Sequence, residues 1–194
     1  MQIFECDEVE SGCLSDYIQN ALDRLPDIVS EDDAGKTYAE LWPKEVAELQ
    51  RIVKQAISLV ASERPDHEVI EKIGGGWTGH EALAIAIYSA LKYNNSFEDA
   101  IICSVNHSGD SDSTGAICGN IMGALLGRKS IPEYYTDNLE LLDVIEEIAE
   151  GLYTGCIISE YSEQSTPAER RWAAKYCEHK WTPRAENNLK MTEV

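Results

Sequence analysis

Positive charge is scarce in this sequence. Sixteen Lys and Arg residues stand against thirty-five Asp and Glu residues, which gives the 194-residue chain a net charge of −19. A surface of this sign repels a phosphate backbone, so nucleic acid is not an expected partner. An acidic surface is compatible with cation binding, but it is in the first place a solvated surface, and composition alone does not indicate a metal site.

Long apolar runs are also missing. The longest, residues 115–126, is too short to span a bilayer, and the acidic stretch MQIFECDEVE at the N-terminus lacks the apolar core of a signal peptide. No two cysteines form a C-x-x-C pair and no His stands at zinc-ligand spacing, so we expect reduced thiols in a cytoplasmic protein with no membrane partner. The six cysteines are Cys6, Cys13, Cys103, Cys118, Cys156 and Cys177.

The alternating pattern of strands is absent as well, and apolar residues recur instead at three- and four-residue spacing. This periodicity predicts an all-α fold. We expect a multi-helix domain in residues 1–160, followed by a terminal helix and a polar tail in residues 161–194. Helices are predicted over residues 14–25, 43–60 and 142–152, with further helix starts near residues 79, 97, 113 and 166, the last helix running toward His179.

Two patterns predict details of these helices. Thr78 followed by Glu81 fits a capping box, in which the hydroxyl and the carboxylate bond free amides at a helix start, and Ser96 with Asp99 follows the same pattern. Glycine recurs at every fourth position of the helix expected from about Ser113, so one helix face is nearly bare backbone and should lie very close to another helix. The glycines are Gly115, Gly119, Gly123 and Gly127.

Two carboxylates and several hydroxyls lie close together in residues 106–115, NHSGDSDSTG. The oxygens of Asp110, Asp112 and the neighbouring serines are the hard donors that Mg²⁺ and Ca²⁺ prefer. Asp and Ser residues before a helix are also ordinary N-caps, because their oxygens accept bonds from the first free amides. The segment by itself supports both interpretations equally.

Two known motifs overlap this segment but do not fit it. An EF-hand loop beginning at Asp110 would place Ile121 at the twelfth position, where a bidentate Glu is required. The D-x-D-x-T string of haloacid-dehalogenase-type phosphotransferases follows a buried apolar strand, and residues 105–109, VNHSG, do not make such a strand. Neither motif explains the segment.

A third pattern extends far beyond the short string. Residues 105–127, VNHSGDSDSTGAICGNIMGALLG, closely resemble the second metal-binding motif of the ADP-ribosylglycohydrolase family and the glycine-rich helix that follows it. GGGW at residues 74–77 with EAL at residues 81–83 resembles the family's upstream G-x-G-W…E-A-L element, and Ile131-Pro132 with residues 139–152 resembles its continuation. By the order of helices, the resemblance covers residues 12–153 and is to the C-terminal half of the family's all-α fold.

The resemblance implies a hydrolase that removes ADP-ribose from an ADP-ribosylated protein or small molecule. It implies two Mg²⁺ ions as cofactors, with Mn²⁺ as a substitute, and it assigns no catalytic residue in this chain. The implied metal ligands are Asp110, Asp112 and Ser113. The implied substrate-binding residues are Gly75, Gly76, Trp77, Gly109 and Ser111.

Three side chains beside these motifs also have simpler interpretations. Trp77 fits a core position as well as it fits the wall of a substrate cleft. His107 fits the C-terminal end of a helix better than it fits a proton shuttle. His80 lies inside the predicted capping box and is expected to face solvent.

The chain departs from the family in lacking the G-D-x-x-G element and the T-D-D motif, which supply further metal ligands and an acidic residue. The nearest string, SEDD at residues 30–33, is better explained as a solvated charge run. The chain is therefore interpreted as one half of a hydrolase completed by a separate N-terminal half or a second chain, as an inactive ADP-ribose- or metal-binding module, or as a helical remnant that binds nothing.

Overall fold

Helices form the secondary structure of the chain in residues 11–30, 35–155 and 166–176, which are the residues that the computed structural model describes. These ranges contain no strand, only an isolated antiparallel bridge between Val29 and Thr37. The all-α prediction is confirmed. The helices of the described ranges are α1 (Ser11–Arg24), α2 (Tyr38–Leu41), α3 (Pro43–Leu59), α4 (Asp66–Ile73), α5 (Gly79–Lys92), α6 (Phe97–Val105), α7 (Ser111–Leu126), α8 (Glu133–Thr136), α9 (Leu142–Thr154) and α10 (Pro167–Tyr176), with 3₁₀ turns at Leu25–Asp27 and Arg128–Ser130.

The chain divides into two compact units, residues 1–132 and residues 133–194. The first unit contains α1 to α7 and both sequence motifs, and the second contains α8 to α10. The predicted domain boundary at residue 160 lies outside the described residues. Across the described ranges, none of the helices is long and apolar enough to cross a membrane.

Helix α5 is the centre of the first unit because it is apolar on nearly every side. All of its residues from Ala84 to Leu91 are buried, as expected of a helix that has neighbours all around it. One apolar cluster joins α5 to α3 and α4 through side chains such as Ile85, Val53 and Ile70. A second cluster joins α5 to α6 and α7. The loops that precede α5 and α7 are positioned by this packing.

Helix starts and ends follow the sequence signals in most places. Helix α1 ends at Arg24, and the 3₁₀ turn that follows it contains Pro26. The Ser96 hydroxyl accepts a hydrogen bond from the Asp99 amide at 3.2 Å, which confirms the cap of α6. Thr166 and Glu169 form a reciprocal capping box at the start of α10, whereas His179 lies outside the described residues.

One local prediction fails, and one helix was not predicted. Thr78 is the N-cap residue of α5 but makes no side-chain capping bond, so the predicted capping box is wrong. The Glu81 side chain instead packs against Gly74, where it fills the space that a Cβ atom would need, and the Thr78 hydroxyl lies 3.3 Å from Nε2 of His80. Helix α4 was not predicted because its short apolar stripe of Val69, Ile70 and Ile73 spans little more than one turn.

The glycine face of α7 is tight at one end only. A Cβ atom added at Gly115 would lie 2.7 Å from Cγ1 of Val105 on α6, whereas one at Gly119 would meet Cδ1 of Ile101 at an ordinary 3.7 Å. At Gly123 nothing lies within 4 Å of the added atom. The predicted close packing therefore holds at Gly115 alone: α6 and α7 are in close contact there and leave free space at Gly123.

Asp66 at the start of α4 joins α4 to α5 through three hydrogen bonds. Its carboxylate accepts from Lys92 Nζ at 2.6 Å, from the Tyr88 hydroxyl at 2.7 Å and from the Tyr93 hydroxyl at 2.7 Å. Burial opposes ionisation of Asp66, but these hydrogen bonds outweigh burial and hold the pKa of its carboxyl below the usual value. In turn, the bond to Asp66 raises the pKa of Tyr93 to about 12.

We expect Gly115→Ala to lower the free energy of unfolding relative to Gly123→Ala. Alanine gains about 1 kcal/mol of helix propensity at either position, but at Gly115 its methyl group would overlap the stiff Val105 side chain, which typically costs about 1–3 kcal/mol. Urea denaturation of the two variants and the wild type measures the difference. Equal stability of the two variants would contradict the one-sided contact.

We expect Asp66→Asn to cost about 1–3 kcal/mol at neutral pH, because a half-buried Lys92 and a buried Tyr88 lose their charged acceptor. A carboxyl with a lowered pKa stabilises the fold above its unfolded-state pKa, and this contribution disappears as the pH falls through the folded-state pKa. The stability difference from wild type should therefore shrink below about pH 4. Denaturation curves at several pH values test this, with Asp23→Asn on the exposed face of α1 as the control, and a difference that is constant with pH would refute it.

Candidate functional site

The carboxylate segment lies at the start of α7. Asp110 is the N-cap residue, and its carboxylate accepts a hydrogen bond from the Ser113 amide at 3.4 Å. The helix begins at Ser111, two residues earlier than predicted, so Asp112 and Ser113 belong to its first turn. The segment thus has the capping role that the sequence allowed, and its remaining carboxylate oxygens stay available for another partner.

The structure brings Asp110, Asp112 and Ser113 together. Hydrogen bonding with the Asp112 side chain, and then with the Ser113 hydroxyl, lowers the pKa of the Asp110 carboxyl. Neighbouring carboxylates repel each other, and a bound cation would relieve that repulsion. A hydroxyl and two carboxylates at one helix start are donors of the kind that suits Mg²⁺ or Mn²⁺.

These donors make an incomplete ligand set. Mg²⁺ takes six oxygen ligands and commonly keeps several waters. Across the described residues there is no cluster of three or more His, Cys, Asp or Glu side chains placed to hold a metal ion. Asp110, Asp112 and Ser113 fit one side of a cation site, and water or other groups have to fill the remaining positions.

The loop of residues 74–77, here called the glycine loop, is bonded directly to the motif loop of residues 106–110. The Asp110 amide donates to the Gly75 carbonyl oxygen at 2.8 Å. A Cβ atom at Gly109 would lie 1.8 Å from that same oxygen, so only glycine fits there. Gly76 has a φ of +75°, and a Cβ atom on it would be 3.0 Å from the Thr114 side chain. The glycine loop and the motif loop, which carry the two family motifs, are therefore held directly against each other.

Trp77 is exposed over 74% of its surface, which rules out the core interpretation. The indole lies beside Gly75, where a Cβ atom would approach the indole Cδ1 at 2.7 Å. Among the other predicted substrate residues, Gly75, Gly109 and Ser111 are partly exposed, whereas Gly76 is buried. An exposed aromatic ring therefore lies in the loop whose backbone holds the amide of Asp110.

Two surface cavities of the first unit lie elsewhere. One, of about 500 Å³, is a groove between α3 and the start of α5, and half-buried His80 lines it with Glu45 and Leu83. The other, of about 260 Å³, lies beside Asp66, Tyr93 and Cys103. Neither is lined by Asp110, Asp112 or Ser113, so the expected substrate cleft does not correspond to either cavity.

The buried cysteines do not contribute a nucleophile. Burial raises the pKa of the Cys103 thiol to about 12 and that of the Cys118 thiol to about 11. Thiols with such pKa values stay protonated near neutral pH and are poor nucleophiles or metal ligands. Both are free thiols, as the spacing of the cysteines predicted, and both pack in the core.

Comparison with known proteins identifies the family of the chain. The profile of the ADP-ribosylglycohydrolase family matches residues 7–161. This chain belongs to the ADP-ribosylglycohydrolase family, as its two motifs predicted. No solved structure shows a significant match to the chain.

Curated relatives align with part of the chain. ADP-ribosylhydrolase ARH1 of Dictyostelium discoideum is 40% identical over 78 residues, which are 40% of this chain and 20% of that protein. Human ADP-ribosylhydrolase ARH3 is 23% identical over 147 residues, 71% of this chain and 40% of the relative. ADP-ribosylarginine hydrolase Tri1 of Serratia proteamaculans is 36% identical over 73 residues, 38% of this chain and 20% of the relative. The chain thus spans less than half the length of these relatives.

We expect Gly109→Ala to separate the two loops. The new methyl group would overlap the Gly75 carbonyl oxygen, so the bond from the Asp110 amide should break and its hydrogen exchange should become faster, with a loss of stability of about 1–3 kcal/mol. NMR exchange measurements on the Asp110 amide give the first result and thermal melting the second. Gly79→Ala is the matched control, because an added Cβ there has free space. Unchanged Asp110 exchange in Gly109→Ala would contradict the close approach.

Proposed function

We propose that this chain is the metal-binding C-terminal portion of a Mg²⁺-dependent ADP-ribosylglycohydrolase, which hydrolyses the glycosidic bond between ADP-ribose and a modified target. The observation that supports the proposal is the position of Asp110, Asp112 and Ser113 in one turn at the start of α7, which a backbone hydrogen bond joins to the loop that carries the exposed Trp77. Membership of the family supplies the reaction class.

The cation would be held by the two carboxylates and the Ser113 hydroxyl. When bound, Mg²⁺ or Mn²⁺ supplies Lewis-acid contacts to the ribose hydroxyls and to a water molecule. The residues of this chain have three tasks in that site. Asp110 and Asp112 would provide negative charge, the start of α7 would place both carboxylates in one helix turn, and the hydrogen bond from the Asp110 amide to the Gly75 carbonyl would keep this turn beside the glycine loop.

The substrate would lie along the glycine loop. Gly75 and Gly109 carry no side chain that would obstruct a ligand, Ser111 offers a hydroxyl next to the carboxylates, and Trp77 offers a flat apolar wall. An aromatic ring of this kind suits stacking by a nucleotide base. The names of the relatives, ADP-ribosylhydrolases and an ADP-ribosylarginine hydrolase, support an ADP-ribosylated protein or an ADP-ribose derivative as the partner.

The remaining ligands and the acidic residue would come from a separate N-terminal half or from a second chain. The chain has neither G-D-x-x-G nor T-D-D, and residues 31–33 of the nearest acidic string lie outside the described residues. A cation held by two carboxylates, one hydroxyl and water exchanges readily, and an attacking water without its partner acid is poorly positioned. We place the complete enzyme in the cytoplasm, consistent with its free thiols.

We expect Asp110→Asn and Asp112→Asn to weaken Mn²⁺ binding by about tenfold or more, because each removes a charged ligand. Asparagine is as good an N-cap as aspartate, so Asp110→Asn should leave the melting temperature nearly unchanged. Water-proton relaxation measures Mn²⁺ binding, and Asp137→Asn, at an exposed position of the second unit, is the control. If Asp110 only caps the helix and Asp112 is only a first-turn residue, their Asn variants will match this control in Mn²⁺ binding.

Turnover distinguishes an enzyme from an inactive binding module. We expect the chain alone to release ADP-ribose from a modified protein slowly, and release to rise when a T-D-D-bearing half is added or fused, because the second half completes the ligand set. Asp112→Asn should abolish that rise. Release of ADP-ribose is measured by chromatography. Metal-dependent ADP-ribose binding without any turnover in the completed protein would establish the binding module instead.

A further inference from the structure

The imidazole of His107 is engaged at both nitrogens. The Gly109 amide donates to Nδ1 at 3.1 Å, and Nε2 lies 3.0 Å from Oγ1 of Thr114. A nitrogen that accepts a hydrogen bond carries no proton, so in neutral imidazole the proton is on Nε2, which donates to Thr114. The hydrogen-bond network thus assigns the tautomer. Neither nitrogen is left to exchange a proton with a substrate.

The Thr114 hydroxyl connects this ring to the core. Thr114 is completely buried, and its Oγ1 lies 2.7 Å from the Ser104 carbonyl oxygen, with the Asp110 carbonyl oxygen farther away at 3.0 Å. A hydroxyl that accepts from His107 uses its single proton for one of these carbonyls. The shortest contact directs that proton to Ser104 in the last turn of α6. The chain of bonds therefore runs from α6, through α7, to the motif loop.

This chain of bonds complements the one from the glycine loop. The Gly109 amide is held by His107, and the next amide, that of Asp110, is held by Gly75. Two successive amides fixed in this way leave the backbone around Asp110 little rotational freedom. The backbone sets the direction of the Asp110 Cα–Cβ bond, and the hydrogen bond from the Ser113 amide at 3.4 Å holds the carboxylate in place.

We propose that His107 is a positioning residue for the cation site: with its proton on Nε2 and anchored by Thr114, it holds the Gly109 amide so that the Asp110 carboxylate faces Asp112 and Ser113. The proposal rests on the proposed function for its cation and on the described contacts for its geometry. Substitution of residues that orient metal ligands through hydrogen bonds commonly changes the affinity for the metal. His107 therefore acts through the loop and does not touch substrate.

Four substitutions separate the hydrogen bonds from the shape of the side chains. His107→Phe keeps a ring but removes both bonds, and His107→Asn restores an acceptor near the position of Nδ1. Thr114→Val keeps the shape but removes the hydroxyl, and Thr114→Ser keeps the hydroxyl. All are made in the full chain, and each is measured for Gly109 amide exchange, for Mn²⁺ affinity and for melting temperature.

We expect His107→Phe and Thr114→Val to speed Gly109 amide exchange and to weaken Mn²⁺ binding by about tenfold. His107→Asn should recover Gly109 protection and most of the affinity, and Thr114→Ser should keep both. A purely structural role would lower the melting temperature without this pattern of loss and recovery. ¹⁵N NMR of the wild-type imidazole should show the proton on Nε2, a measurement that does not depend on how the variants fold.

Each outcome decides the proposal. A proton on Nδ1 in the wild-type protein, or wild-type Gly109 exchange and Mn²⁺ affinity in His107→Phe, overturns it. If the wild-type protein binds no Mn²⁺ while His107→Phe still loses Gly109 protection, the hold on the loop is supported and the cation assignment of the proposed function fails. Loss of Mn²⁺ affinity in Asp110→Asn together with unchanged affinity in both His107→Phe and Thr114→Val leaves the proposed function intact and refutes the role of His107.

Discussion

The contact between the Gly75 carbonyl and the Gly109–Asp110 backbone is the constraint on which the site depends. At this point two loops approach so closely that no side chain fits at Gly109, and the Asp110 amide donates to the Gly75 oxygen at 2.8 Å. Loss of this backbone hydrogen bond would leave a partly buried amide and carbonyl without each other as partners, which costs stability. The contact couples the residues proposed to bind a cation to the loop proposed to bind a nucleotide.

The position of the two loops follows from the packing of three helices. The glycine loop leads into α5 and the motif loop connects α6 to α7, so the contacts of α5 with α6 and α7 bring the loops together. The close approach of Val105 to Gly115 holds the ends of α6 and α7 beside the motif loop. Near the C-terminal end of α5, Asp66 bonds α4 to α5 through Lys92, Tyr88 and Tyr93. The packing of the core helices therefore also sets the positions of the two loops.

Capping and cation binding do not exclude each other at Asp110. One carboxylate oxygen accepts from the Ser113 amide, and a carboxylate has further lone pairs for a cation. The side chains of His107 and Thr114 likewise bond backbone groups, the Gly109 amide and the Ser104 carbonyl respectively. These local bonds order the loop around Asp110 within this chain, where the proposed cation site would lie.

Local patterns determined much of this protein from the sequence alone. The all-α class, most helix starts, the free buried thiols and the two family motifs were all predictable, because periodicity, capping residues and motif spacing act over a few residues. The placement of Asp110, Asp112 and Ser113 at one helix start was predictable for the same reason, since all three lie within four residues of each other. Helix α4 escaped prediction because a single turn of apolar residues carries too little periodic signal.

Tertiary structure decided what depends on neighbours distant in sequence. The four-residue spacing of glycine could not show that α6 contacts α7 tightly at Gly115 and leaves space at Gly123, because the separation of two helices is set by the packing of both. Thr78 does not cap α5, although its sequence context fits, and Trp77 is exposed rather than buried. The partners of His107 likewise became visible only when the fold placed Thr114 and Gly109 on either side of its ring. Sequence determined which groups are present, and packing determined which of them meet, because contacts between helices depend on the whole core.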